Sequence, residues 1–345
     1  MRNFFGILDQ LNQSASLQKY PTIGESLSRQ VRNRSKEIVQ KYVERIYNRP
    51  PPQLFPEDID EELIGIEIEV ENIDEDLECE SNLGHYFWNI KADGSLRDCG
   101  QEFVSVPLEV GAIPYALQHL NHVFTAYEVE TNFTNRCSIH IHVNVLDMTI
   151  TELLVFILLY FIYEKHFFTV AGTKRESNIF CVPLNESDQI NYILNNLKYI
   201  SKNDYATYLE TLCSNWQKYN APNLACIYGN SVVHGYGTVE FRHLYGTLDN
   251  KILSSWIKSI CYLKQFSKQY SLKHLLEFLK SSCTTSEYVE LYRKIFKDTA
   301  LPINLKEVEK SITTLKLILE QYPRLPVNQL CNTDSILHNF LKEKG

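Results

Sequence analysis

The run GIEIEV at residues 65–70 alternates apolar and acidic side chains, which is typical of a β-strand with one buried face. On such a strand the isoleucines point to one side of the sheet, so Glu67 and Glu69 must point to the other. Three later segments, QEFVSVPL, CSIHIHVN and TVEFRHL, show a similar alternation. Their polar positions hold Glu102, His140, His142, Glu240 and Arg242. The chain is therefore predicted to build a sheet that packs one face on helices and carries ionisable side chains on the other.

Carboxylates gathered on one face of a sheet need positive charge nearby. Close like charges raise one another's pKa and destabilise the fold unless cations neutralise them. Same-face neighbours on a strand lie roughly 7 Å apart, so Glu67 and Glu69 suit two adjacent metal ions better than one. Two-metal sites hold their ions about 3.5–4 Å apart and act on phosphoryl groups. Carboxylate ligands with one imidazole favour Mg²⁺ or Mn²⁺ over Zn²⁺.

Each segment by itself has a simpler interpretation. A Glu-x-Glu strand is often a solvated sheet face, and a Glu-x-Arg pair is often a surface ion pair. The His-x-His strand could instead hold one iron or zinc ion through His140 and His142, as in cupin-like enzymes. That alternative lacks a glutamate shortly after the second histidine, and it leaves Glu67, Glu69 and Glu240 without a role.

Composition restricts the classes of partner and location. With 34 basic against 42 acidic residues the net charge is −8, which argues against nucleic acid bound through its phosphates. Nine cysteines without a CxxC pair indicate reduced thiols of an intracellular protein. The start MRNFFGILDQ has too short an apolar run for a signal peptide. The longest apolar run, 153–163, is half a membrane span, so we expect a buried helix capped by Thr149 and Glu152 in a cytoplasmic protein without membrane partners.

Changes in composition along the chain predict four regions. Residues 1–49 are basic and helix-prone, and we expect a helical arm whose basic side chains are either solvated or dock an acidic protein partner. The Pro-rich, acidic stretch 50–63 is expected to be a linker, because prolines break helices. Residues 64–247 mix strand and helix patterns and carry all the polar strand faces. Residues 248–345 are expected to form a helical region packed on that core.

Five blocks within residues 64–247 resemble the amidoligase family, part of the carboxylate–amine ligase superfamily. The blocks are GIEIEV, WNIKADGSLRDCGQEFVSVPL, CSIHIHV, KYNAPNLAC and GTVEFRHLYGT, in the order and spacing of that family. The resemblance implies the catalytic fold of glutamine synthetase and glutamate–cysteine ligase. That fold is α+β, with an antiparallel sheet curved into a partial barrel and helices on its convex face. Helical N- and C-terminal extensions would be added here, and ATP and Mg²⁺ would lie against the polar face of the sheet.

The resemblance also implies roles for individual residues. The implied metal ligands are Glu67, Glu69, Glu102, His140 and Glu240. The implied contacts to nucleotide, phosphate or substrate are His142, Arg175, Asn178, Asn223 and Arg242. The roles of His140 and His142 could be reversed. Asp93 is either a substrate contact or simply the turn residue that an Asp-Gly pair favours. Ser138 stands where the family usually has glycine, which puts a close backbone approach to ligand in question.

The implied activity is that of an ATP-dependent amide ligase. The γ-phosphoryl group of ATP would pass to a substrate carboxylate, and the amine of an amino acid or peptide would then displace the acyl phosphate. Glu240 and Arg242 would be the catalytic residues, with Arg242 steadying the transferring phosphoryl group. The sequence has no GxxxxGK[ST] loop, so metal and side chains would hold the nucleotide. The main alternative is a non-catalytic interaction module of a larger assembly, such as a phage particle in a host cytoplasm.

Overall fold

The computed structural model describes residues 20–46, 51, 53–73, 87–97, 100–126, 128, 133–197, 205–229, 235–281 and 284–321. Within these residues the protein is mixed α/β, with eleven α-helices and antiparallel strands. The described residues fall into two compact units. The first is drawn from Met1–Asn144 and Leu244–Ser254, and the second from Val145–His243 and Ser255–Gly345. The domain boundaries expected from composition stay predictions.

The first unit contains an antiparallel sheet and two helices. Its strands are β1 (Leu63–Val70), β2 (Trp88–Ala92), β3 (Gln101–Ser105), β4 (Leu108–Glu109) and β5 (Ser138–Asn144), and its helices are α1 (Tyr20–Ile46) and α2 (Ile113–Ala126). The strand order is β2-β3-β1-β5, and β4 pairs with the start of β1. The predicted antiparallel sheet is confirmed, and the described strands do not close into a barrel. The curvature of the sheet and its likeness to glutamine synthetase stay predictions.

The central strand of this sheet is β1, which pairs with β3 on one side and β5 on the other. Its apolar face is buried as predicted, with Ile66 and Ile68 fully inaccessible. The opposite face is also withdrawn from solvent, because Glu67 is only 8% exposed and Glu69 only 6%. The interpretation of Glu-x-Glu as a solvated sheet face is therefore wrong. Buried carboxylates require specific partners, since an isolated charge away from water is strongly unfavourable.

Helix α1 packs against β4 within the first unit. Tyr42 is fully buried, and the Ser35 hydroxyl accepts the backbone N–H of Glu109 at 3.1 Å. Arg32 and Lys36 lie 3.9 and 3.7 Å from the Glu109 carboxylate, so some of the basic side chains have an acidic partner within the chain. Docking of an acidic protein by this basic region stays a prediction, and residues 1–19 and 47–50 lie outside the described residues.

The second unit is mostly helical. Its helices are α3 (Ile150–Ile162), α4 (Glu164–Val170), α5 (Gln189–Leu197), α6 (Tyr205–Ser214), α7 (Ala225–Tyr228), most of α8 (Asn250–Gln269), α9 (Leu272–Lys280), α10 (Thr285–Phe296) and α11 (Leu305–Gln321). Two antiparallel strands, β6 (Pro222–Asn223) and β7 (Thr238–Tyr245), place Asn223 opposite Glu240. This pairing brings two of the predicted site residues together.

Helix α3 is the buried apolar helix predicted from the sequence. The backbone N–H of Thr149 donates to the Glu152 carboxylate at 2.6 Å, and the Thr149 hydroxyl accepts the Glu152 N–H at 3.3 Å. This reciprocal pair is the predicted capping box. Every residue of α3 except Glu152 is buried. Among the described helices none has by itself the length and apolar character to cross a membrane; α3 and α4 reach those limits only as a pair bent by 70°.

Ser105, the last residue of β3, completes the hydrogen bonding of β1. Its hydroxyl accepts the buried N–H of Ile66 at 2.8 Å. Ser105→Ala removes this acceptor, and a buried donor left without a partner costs about 1–3 kcal/mol. We expect the free energy of unfolding in urea to fall by about that amount. Ser95→Ala, in an exposed turn, should change it by less than about 0.5 kcal/mol. Equal effects of the two substitutions would show that the Ser105 hydroxyl does not stabilise β1.

Candidate metal centre

Strand pairing in the first unit places ionisable side chains of three strands side by side. Glu69 of β1 lies opposite Glu102 of β3, and Glu67 of β1 lies opposite His140 of β5. His142 of β5 lies opposite the next same-face position of β1, which is a glycine. Directly opposite residues of antiparallel strands have Cβ atoms about 4.5–5.5 Å apart. One band of polar side chains therefore crosses β3, β1 and β5.

Glu69, Glu102 and His140 form a compact group within this band. One ligand atom of each residue lies within 4.8 Å of the ligand atoms of the other two. Two carboxylates and one imidazole are a donor set that suits a hard divalent cation. The residues present therefore fit the metal implied by the sequence, and three of the predicted ligands are brought together.

Glu67 lies between two histidines. Its Oε2 is 3.3 Å from Nδ1 of His140, and its Oε1 is 3.3 Å from Nε2 of His142. Burial alone would raise the pKa of Glu67, but the His142 and His140 rings outweigh burial and hold this pKa well below its usual range. Glu67 is therefore ionised at neutral pH, and both histidines are in reach of the same carboxylate.

Glu102 shows the opposite behaviour. Burial, followed by repulsion from Glu67, raises the pKa of Glu102 to about 9, against the attraction of its β2 neighbour Lys91. Glu102 therefore carries a proton at neutral pH in the metal-free protein. A divalent cation that binds this carboxylate must displace the proton, so binding should release protons to the solvent.

Ser138 is a site residue that was not among the ligands predicted from the sequence. Its backbone N–H and its hydroxyl donate to Oε2 of Glu69 at 2.7 and 2.5 Å. The hydroxyl oxygen also lies 2.8 Å from Nε2 of His140. The signal that could have identified it is its spacing of two from His140, which places both side chains on one face of β5.

The second unit holds a buried polar group on β6, α7 and β7. Oε1 of Glu240 forms an ion pair with Arg242, and Oε2 accepts hydrogen bonds from Asn223 Nδ2 at 2.8 Å and from Cys226 Sγ at 3.3 Å. Glu240 is 4% exposed and Arg242 is 8% exposed. The interpretation of Glu-x-Arg as a surface ion pair is therefore wrong, because the pair is buried. Cys226 was not predicted as a site residue.

The Arg242 side chain has further contacts within its own unit. Its Nε donates to the carbonyl of Phe180 at 3.1 Å, and its guanidinium carbon lies 6.0 Å from the ring centre of Tyr219. Together with the Glu240 ion pair, these contacts orient the planar guanidinium in the ligand-free protein. Such a fixed fork of N–H donors matches the oxygens of a phosphate group.

Arg175 is buried in the same unit and lies close to Cys181. Burial raises the pKa of the Cys181 thiol to about 12, although Arg175 and Arg242 both favour its ionised form. Because both guanidinium groups act on the same thiol, Arg175 and Arg242 lie in the same part of the second unit. Arginine is over-represented where proteins recognise phosphate, because its planar fork of donors can bind two oxygens at once.

Asn178 and Asp93 have local structural roles. Oδ1 of Asn178 accepts the N–H of Phe180 at 2.9 Å, which orders the turn before the Phe180 carbonyl that binds Arg242. Oδ1 of Asp93 accepts the N–H of Ser95 at 2.8 Å, as expected of a turn residue. Contact of either side chain with nucleotide or substrate stays a prediction.

The raised pKa of Glu102 predicts a pH-dependent stability of the metal-free protein. The folded state holds the Glu102 proton up to about pH 9, whereas the unfolded state releases it near pH 4.5. The stability contributed by this proton is complete below pH 4.5 and is lost as the pH rises through about 9. Glu102→Gln cannot ionise, so in EDTA its melting temperature should fall less over this range than that of the wild type.

The control for this comparison is Glu320→Gln, which changes an exposed glutamate of α11. Its melting temperature should follow the wild-type pH profile. Each kcal/mol corresponds to about 2–4 °C in a domain of this size, so the difference should reach several degrees. Parallel profiles for Glu102→Gln and the wild type would contradict the assignment of a proton to Glu102.

Comparison with known proteins agrees with the resemblance noted in the sequence. A family model described as "Putative amidoligase enzyme" matches residues 57–261, which is more than half of the chain. A search of curated proteins finds no match to the chain. The matched segment includes every candidate residue from Glu67 to Arg242. The chain belongs to the amidoligase family.

Proposed function

We propose that this protein is an ATP-dependent carboxylate–amine ligase. The observation that carries the proposal is the Glu69, Glu102 and His140 group, whose ligand atoms lie within 4.8 Å of one another inside the family segment. Two carboxylates with one imidazole suit Mg²⁺ or Mn²⁺ better than the single iron or zinc of a cupin-like site. The substrates would be a carboxylate and the amine of an amino acid or peptide.

In this proposal Glu69, Glu102 and His140 would hold Mg²⁺, and Glu67 would add a further ionised carboxylate. Mg²⁺ would supply the positive charge that neutralises the phosphate oxygens of ATP. His142 would contact a phosphate oxygen, because its ring is already oriented by Glu67 at 3.3 Å. The resemblance also assigns metal binding to Glu240 and nucleotide contacts to Asn223 and Arg175. The pairing of Glu240 with Arg242 supports a second role for Glu240 as the residue that orients the guanidinium.

Arg242 would stabilise the negative charge of the phosphoryl group during transfer. Transfer breaks the bond between the γ-phosphorus and the bridging oxygen of ATP and forms a bond to a carboxylate oxygen, giving ADP and an acyl phosphate. The amine then attacks the acyl carbon, loses a proton, and expels phosphate to leave the amide. Because Glu240 and the Phe180 carbonyl already hold the guanidinium, little reorganisation is needed at the moment of transfer.

The reaction can be tested by trapping its activated intermediate. The full chain incubated with ATP, Mg²⁺, hydroxylamine and panels of amino acids, small peptides and polyamines should form a hydroxamate and release ADP. Hydroxylamine replaces the natural amine at the acyl carbon, so the assay requires only the correct carboxylate. A protein that binds MgATP but gives neither hydroxamate nor acceptor-stimulated ADP would contradict the ligase proposal and favour the non-catalytic interaction module.

Arg242→Lys tests the proposed role of the guanidinium. Lysine keeps the positive charge but loses the planar pair of donors, so turnover should fall by roughly 10²–10³-fold. ATP affinity, measured by calorimetry, should weaken much less. Arg293→Lys on the exposed side of α10 is the matched control and should leave turnover unchanged. Wild-type turnover in Arg242→Lys would remove Arg242 from the mechanism.

A further inference from the structure

Ser138 contacts two of the proposed metal ligands at once. Its hydroxyl donates to Oε2 of Glu69 at 2.5 Å, and the same oxygen lies 2.8 Å from Nε2 of His140. Ser138 is 1% exposed, so bulk water does not compete for these contacts. The Ser138 hydroxyl therefore links the Glu69 carboxylate of β1 to the His140 ring of β5, the strand that also carries Ser138.

These contacts determine which nitrogen of His140 carries a hydrogen. A hydroxyl has one proton, and Ser138 gives its proton to Glu69, so the oxygen can only accept from His140. Nε2 of His140 must then be the N–H nitrogen. In the neutral ring the other nitrogen, Nδ1, carries the lone pair, and a lone pair is what a metal ion requires.

Nδ1 of His140 faces a carboxylate. It lies 3.3 Å from Oε2 of Glu67. A nitrogen lone pair and a carboxylate oxygen repel each other at this distance unless a positive charge lies between or beside them. A metal ion between the two atoms would satisfy this requirement with one nitrogen and one oxygen ligand.

We propose that Ser138 is a positioning residue that selects Nδ1 of His140 as the metal-binding atom. By accepting from Nε2 and donating to Glu69, it holds the ring in one tautomer and one orientation. Hydrogen bonds of this kind to the second nitrogen of a ligating histidine are a general means of orienting metal ligands. The inference rests on the metal site of the proposed function and is independent of the ligase reaction.

Nuclear magnetic resonance can identify the metal-binding nitrogen directly. The full chain labelled with ¹⁵N in its histidines would be titrated with ¹¹³Cd²⁺, and the His140 signals assigned by their loss in His140→Gln. We expect ¹¹³Cd–¹⁵N coupling at Nδ1 and a hydrogen on Nε2. Coupling at Nε2, or no coupling to His140 at all, would overturn the proposal. This experiment uses the wild-type chain and so does not depend on any variant folding.

Ser138→Ala tests the role of the hydroxyl. Without its acceptor, Nε2–H should no longer be favoured, so the His140 signals should show the hydrogen shifted toward Nδ1, which faces Glu67. Mn²⁺ affinity, measured from the electron paramagnetic resonance signal of free Mn²⁺, should weaken by about 10-fold or more. An unchanged tautomer together with wild-type Mn²⁺ affinity would mean that Ser138 does not position His140.

Ser105→Ala is the matched control for this variant. It removes another buried serine hydroxyl of the same sheet, one that accepts from a backbone N–H of β1. It should lower the stability while leaving the His140 tautomer and the Mn²⁺ affinity unchanged. Because neither measurement uses ATP, Nδ1 coordination without hydroxamate formation would retain this inference and reject only the ligase proposal.

Discussion

The pairing of β1 on both of its edges is the constraint on which the candidate metal centre depends. Side chains alternate along a strand, so the register that buries Ile66 and Ile68 also sends Glu67 and Glu69 to the other face. A slip of one residue would place carboxylates in the apolar core, which is strongly unfavourable. The same register sets Glu69 opposite Glu102. One strand register therefore both buries the apolar core and aligns the candidate metal ligands.

The three carboxylates on the polar face of the first unit's sheet are accommodated in three different ways. Glu67 lies between two imidazole rings, Glu69 accepts two hydrogen bonds from Ser138, and Glu102 keeps a proton. Each arrangement reduces the free energy of placing negative charge away from water. A divalent cation bound by these carboxylates would neutralise the same negative charge that the histidines, the Ser138 donors and the Glu102 proton now offset.

Periodicity in the sequence was sufficient to predict which side chains share a strand face, because alternation is a local property of an extended chain. It could not predict how deeply that face is buried. The interpretations of Glu-x-Glu as a solvated strand face and of Glu-x-Arg as a surface ion pair were therefore wrong. Residues that act through pairing were missed for a related reason. Cys226 reaches Glu240 across a separation of 14 residues, and Ser138 reaches Glu69 across 69. Such contacts depend on strand order and turn geometry, which a single sequence does not specify.

The buried ion pair of the second unit is better explained by the orientation that it gives to Arg242 than by stability. Removing two charges from water offsets most of their attraction, so a buried pair can often be replaced by apolar side chains with no loss of stability. Glu240 and Arg242 nevertheless lie below the surface, and Arg175 is buried near the same thiol, Cys181. Glu240 supplies the negative charge that pairs with Arg242, and together with the Phe180 carbonyl it fixes the direction of the guanidinium. A guanidinium held in this way presents its remaining N–H donors in a fixed plane, an arrangement that suits the oxygens of a carboxylate or a phosphate group.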